Sequence, residues 1–168
     1  MLLERSILSG TPGTAETIMA MRQAVSRGKR LPSILLLVGQ LAQGCAHKDR
    51  RCWAQQAFDY IRQRVAYVNH PHGVEVVMDA DKTLMRGAGD CDQMSVAFNT
   101  LVEAMGLRSW FKTIMADGRR PSEWSHVYAL VDVPGVGRLA ADCAEGGGYL
   151  GWEPPGTYTA QMWPGSME

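Results

Sequence analysis

Apolar positions along the chain follow two regimes. Between residues 14 and 106 they recur at helical spacing, and from 107 onward they alternate or cluster as in strands. Ile18, Met21, Ala24 and Val25 form one face of a helix from Thr14, read as its cap, to about Arg27, where Gly28 ends it. Leu31-Pro32 opens a second, mostly apolar helix to about Ala42. A third, starting at Lys48 or Asp49, places Trp53, Ala57, Phe58, Ile61 and Val65 on one stripe, with Arg50, Arg51, Arg62 and Arg64 outside it. Residues 1–13 read as a loop with a short strand around Leu2 to Leu8. Val74 to Met78 reads as a short extended piece, and Asp81 as the cap of a single turn.

The strongest helical signal begins at Cys91. Met94, Ala97, Phe98, Leu101, Val102 and Met105 recur at i, i+3, i+4, i+7, the pattern of a half-buried helix. Asp90 stands where an N-cap belongs, Gln93 completes a capping box, and Gly106 supplies the stop. Beyond it, Arg108 to Met115, Trp124 to Val133 and Arg138 to Asp142 read as strands, the last two joined by Pro134-Gly135-Val136-Gly137. The Gly/Pro-rich remainder, residues 146–168, reads as an extended arm. Helices first and an antiparallel sheet afterwards predict one α+β domain over residues 1–168, helical over about 14–106 and β over about 107–145.

Charge narrows the function classes. Seventeen basic residues balance seventeen acidic ones among 168, which gives no reason to expect nucleic acid as a partner. The longest apolar run, Ile34 to Val38 with Leu41 and Ala42 beyond, is too short to span a membrane. With Arg27, Lys29 and Arg30 before it and Cys45 after it, the run loosely imitates a lipoprotein signal. It lies far from Met1, and Gln43 interrupts the small residues such a signal needs, so a core helix is preferred. Four cysteines do not make a disulfide framework at this length, and a reducing compartment is the default expectation, although an even count leaves room for one bridge. Cys45, His47 and Cys52 lack an evident fourth ligand and a standard zinc spacing; they read as incidental residues of a helix–helix loop. His70 and His72 flank a proline and read as surface residues.

Candidate chemistry converges on Cys91. In the first turn of a helix, free N–H groups and the macrodipole favour a thiolate, whereas Asp90 and Asp92 oppose it, so a nearby imidazolium is needed. His126 lies in the strongest strand and Asp142 at the end of the next. A three-residue loop, Pro134-Gly135-Val136, would pair Val133 with Gly137 and set Asp142 diagonally to His126 on one face. A two-residue loop would put them on opposite faces. A cysteine at a helix start facing a His/Asp pair on a sheet is the arrangement of papain-like enzymes. The Cys91 N–H is a natural first oxyanion donor, with Tyr67 a candidate for the second, and Trp124 could wall the substrate groove.

The run Gly87-Ala88-Gly89-Asp90-Cys91-Asp92, with Ser125-His126-Val127-Tyr128 and then Asp142, resembles the core of the transglutaminase-like superfamily of cysteine enzymes. In particular it resembles the small transglutaminase-like proteins encoded in bacteriophage structural-gene clusters. The likeness spans about residues 48–154, including Arg64-Val65-Ala66-Tyr67, Gly73-Val74-Glu75 and Gly106-Leu107-Arg108. It departs where Gln93 stands in place of a second acidic residue and where Cys143 follows Asp142. The resemblance implies a papain-like, transglutaminase-core fold with Cys91 as nucleophile, His126 as general base and acid, and Asp142 as the orienting carboxylate. It implies acyl transfer from a peptide or cell-wall amide to water or to an amine, with no cofactor and no metal. It further implies synthesis in a bacterial cytoplasm and association with a virion or tail and its other proteins. The alternative is a docking module of a phage tail that keeps the fold without turnover.

Overall fold

The computed structural model describes residues 3–5, 11–70, 75–145 and 148–168. In chain order the elements are β1 (Leu3–Arg5), α1 (Thr11–Gly28), α2 (Pro32–Ala42), α3 (Arg50–Arg64), β2 (Ala66–Tyr67), β3 (Glu75–Val77) and α4 (Ala80–Arg86). Then follow β4 (Ala88–Gly89), α5 (Cys91–Ala104), β5 (Arg108–Ile114), β6 (His126–Val133), β7 (Gly137–Ala141) and β8 (Ala160–Pro164). The α+β order matches the two regimes of apolar spacing. Of the strand expected around residues 2–8, Leu3–Arg5 is present as β1, antiparallel to β3. Residues 71–74, which include His72, Gly73 and Val74, and Gly146 and Gly147 of the arm lie outside the described residues.

α5 is the centre of the fold. Every residue from Gln93 to Val102 is buried, so the helix is enclosed rather than half-buried. Its second face carries polar groups that bond inward to main chain. Gln93 Nε2 donates to the Val76 carbonyl at 3.0 Å and Asn99 Nδ2 to the Trp110 carbonyl at 3.2 Å. Thr100 Oγ1 donates to the Val96 carbonyl at 2.7 Å, and Ser95 Oγ lies 3.5 Å from the Val127 carbonyl. These bonds let a helix with a half-polar sequence be buried all round. On its apolar side Phe98, Leu101 and Val102 pack with Ile34, Phe58 and Ile61 of the preceding helices.

The main sheet is antiparallel, in the order β7-β6-β5-β8. Phe111, Val127, Ala129, Val131 and Ala141 face the helices, and Tyr128, Leu130, Ala140 and Ile114 form a smaller cluster on the other face with Trp110 and Tyr158. The arm expected after residue 146 is not wholly extended, because its end returns as edge strand β8 along β5. Pro164 tolerates that position because an edge strand leaves one row of N–H groups unused. The residues beyond are fixed to α1: Arg22 donates to the Ser166 carbonyl at 2.9 Å, and the Met167 N–H to Ser26 Oγ at 2.9 Å.

Three local expectations are corrected. α1 begins at Thr11, so Thr14 lies inside it rather than capping it. α4 begins at Ala80 with Asp79 at the cap position, which places Asp81 in the first turn, where a carboxylate suits the helix dipole. Cys45 and Cys52 are joined by a disulfide, with Cα atoms 5.8 Å apart, so they are not incidental loop residues. Lys48 takes a left-handed conformation (φ 59°) and Asp49 caps α3 through the Cys52 N–H at 2.9 Å, which folds the loop back until the sulfurs meet. This bridge is the one for which the even count of cysteines left room.

Candidate active site

The glycine-rich loop is positioned by a small parallel pairing. β2 runs beside β4, with Ala66 opposite Ala88 and Tyr67 opposite Gly89. The Ala66 N–H bonds the Gly87 carbonyl at 2.9 Å and the Val68 N–H the Gly89 carbonyl at 3.0 Å. Gly89 has no room for a side chain: a Cβ there would lie 2.8 Å from Gln93 Oε1 and 3.0 Å from Gln93 Cβ. That close approach lets Gln93 reach back to the cap. The Gln93 N–H donates to Asp90 Oδ1 at 3.0 Å and the Asp90 N–H to Gln93 Oε1 at 3.3 Å, completing the expected capping box. Gln93 is thus tied both to the helix terminus and, through Val76, to β3.

Cys91 is the first residue of α5 and is half-buried beside the cluster of Val96, Phe111 and Val127. Two interactions act on its sulfur. The thiol donates to Asp92 Oδ1 at 3.6 Å, and the Val127 N–H donates to the sulfur. Burial pushes the Cys91 thiol well above its ordinary range, the carboxylates of Asp92 and Asp90 push it further, and the Val127 N–H opposes them.

His126 and Asp142 are brought together by register. Val133 pairs with Gly137 and Ala129 with Ala141, so the loop is the three residues Pro134-Gly135-Val136. Positive φ at Gly135 (82°) and Gly137 (108°) closes it. Asp142 therefore falls diagonal to His126 on one face, and His126 Nε2 lies 2.6 Å from Asp142 Oδ2. The carboxylate is buried at 1% exposure and also accepts from the Ala144 N–H at 3.3 Å; the imidazole is 18% exposed. An ionised carboxylate can only accept, so Nε2 is the donor, and in the neutral imidazole Nδ1 keeps its lone pair. Val127, whose N–H meets the Cys91 sulfur, is the next residue after this histidine.

Tyr67 lies beside the loop that leads into Cys91, opposite Gly89, and its hydroxyl is pushed up to about 12 by burial and then by Cys91, Asp90, Asp92 and Glu145. That hydroxyl donates to Asn69 Oδ1 at 2.9 Å. Trp124 is half-buried two residues before His126, and its indole N–H is buried with no hydrogen-bond partner among the described residues. His70 is not the surface residue expected. Its side chain is 16% exposed, and Nδ1 lies 2.7 Å from Asp90 Oδ2. The partners are twenty residues apart and meet only because β2 pairs with β4, a contact no local pattern signals. Among the described residues no group of three or more His, Cys, Asp or Glu side chains is placed to hold a metal ion. No helix of the described residues is long and apolar enough to cross a membrane.

Comparison with known proteins bears on the fold and the family. A crystal structure of a candidate protease from Parabacteroides distasonis superposes with a TM-score of 0.56 at 14% identity, over 74% of this chain and 26% of that one. The chain thus spans about a quarter of that protein, and the likeness is one of fold. A search among curated proteins returns no match. The profile of the transglutaminase-like superfamily matches residues 39–143, which contain Cys91, His126 and Asp142 and make up well over half of the sequence. The chain belongs to the transglutaminase-like superfamily.

Proposed function

We propose that this chain is a cysteine-dependent acyl-transfer enzyme acting on a peptide or cell-wall amide through Cys91, His126 and Asp142. The observation that carries the reading is the His126–Asp142 bond of 2.6 Å, with the buried carboxylate holding Nε2–H and leaving Nδ1 as a base beside the residue that contacts the thiol. When substrate enters, the thiol proton passes from sulfur to His126 Nδ1, and the sulfur attacks the amide carbon. The carbonyl oxygen becomes an oxyanion, which the Cys91 N–H can bind, because the first N–H of a helix has no intrahelical acceptor. Tyr67, and the unpartnered indole N–H of Trp124, are the candidate second donors. Collapse of this intermediate breaks the C–N bond, the amine leaves with the proton from His126, and a thioester remains on Cys91. Water or a second amine, deprotonated by Nδ1, then releases the acyl group.

A second reading, a silent docking module that keeps the fold, draws on one observation. The resting thiol is raised and donates to Asp92 rather than to an imidazole. Assays of amide hydrolysis and of amine incorporation, run on the wild type and on Cys91→Ala, separate the two. The enzyme reading expects turnover that the substitution abolishes while the melting temperature stays close to wild type. Absence of turnover on peptide and cell-wall amides, or turnover that survives Cys91→Ala, would contradict it.

A further inference from the structure

The histidine that the proposed reaction does not use lies at the terminus that carries the thiol. Asp90 is gripped from two sides. Oδ1 accepts the Gln93 N–H, and Oδ2 meets His70 Nδ1 at 2.7 Å. Both side chains are about as buried as each other, at 16% and 15% exposure. Since the carboxylate can only accept, Nδ1 is the donor, and the positive end of that N–H faces the charge. Asp90 is also one of the two carboxylates that hold the Cys91 thiol up. Whatever offsets the charge of Asp90 therefore eases ionisation of Cys91.

We infer that His70 is a positioning residue for the nucleophile, acting through Asp90: it holds the cap carboxylate against the helix terminus and offsets its charge beside Cys91. The same bond ties the segment after β2, which carries Tyr67, to the start of α5. Besides His126, the titratable groups that act here among the described residues are Asp92 on α5, Tyr67 on β2 and Glu145 beyond β7. All three are acids, and among the described residues His70 is the base that meets Asp90. The inference rests on Cys91 being the nucleophile, but its test reads the thiol directly and needs no turnover.

The probe is iodoacetamide on the full chain, with the rate at Cys91 followed by mass mapping across pH. His70→Ala is expected to slow alkylation of Cys91 at pH 7.5 by about threefold or more and to move the alkylation profile to higher pH. His70→Asn, whose amide nitrogen reaches the place of Nδ1, is expected to restore most of the rate. In an Asp90→Asn background, which removes the charge, His70→Ala should leave the profile unmoved. Should His70→Ala fail to fold, His70→Gln, whose longer amide overshoots Asp90 Oδ2, replaces it in the same comparison. An unchanged profile in the single variant, equal slowing in the Asp90→Asn background, or no recovery with His70→Asn would overturn the inference.

Discussion

At Cys91 burial, and after it two carboxylates, act against one backbone N–H and hold the thiol up. Asp92 is the nearer lever, because its oxygen accepts the thiol proton 3.6 Å away. Neutralising it should remove both the repulsion and the competing acceptor. Asp92→Asn is therefore expected to shift the Cys91 alkylation profile to lower pH and to raise the iodoacetamide rate near neutrality by about threefold or more. A profile that stays in place would mean that burial alone holds the thiol protonated. The selectivity of that reaction follows from the same environment. Cys143 is 6% exposed and also raised by burial, and Cys45 and Cys52 are bonded to each other, which leaves Cys91 as the open thiol.

The β6–β7 hairpin decides whether His126 has a carboxylate at all. Side chains alternate with period two, so one residue more in the loop turns every later side chain of β7 to the other face. Inserting a single glycine between Gly135 and Val136 should keep the circular dichroism spectrum near that of the wild type yet separate Asp142 from His126. The expected result is a loss of acyl transfer of about a hundredfold or more, as befits an imidazole with no fixed tautomer. Retained activity would show that Asp142 is not needed. The loop length could be argued from Pro134-Gly135-Val136-Gly137 because the turn is local, and the long helices were legible because their apolar stripes repeat over several turns. β2 and β4, with two residues each, carry no period and exist through tertiary bonding to the Gly87 and Gly89 carbonyls. His70 was hidden for that reason, since its partner depends on the pairing. β8 was hidden by its Gly/Pro-rich surroundings, and the Cys45–Cys52 bridge by a spacing that fitted neither a metal site nor a disulfide framework.

Across the whole molecule, the buried acids make the fold sensitive to alkali. Burial raises Cys91 and Cys143, and it raises the Tyr128 hydroxyl, which also donates to Glu153 Oε1 at 2.8 Å. The folded chain keeps these protons after the unfolded chain has lost them, so stability falls as pH rises. The loss begins near the unfolded thiol value, about 8.5, at a slope of about 1.4 kcal/mol per pH unit for each such thiol, and the tyrosines join above about 10. Thermal melts at pH 7.5 and 10 should show this fall. Cys143→Ala should lower the melt at pH 7.5 by leaving a small cavity, yet narrow the gap between the two pH values. An unchanged gap would remove Cys143 from the explanation. The parts of the molecule converge on Cys91: α5 is buried by every layer, β2 and β4 hold the loop before it, and β6 brings His126 and the Val127 N–H. The most direct measurement is therefore the covalent intermediate itself. The full chain is mixed with an activated acyl ester, quenched in acid and digested, and the peptide containing Cys91 is weighed. The account predicts an acyl mass on Cys91 that is absent from Cys91→Ala and strongly reduced in His126→Ala; ester or amide turnover with no acyl group on Cys91 would contradict it.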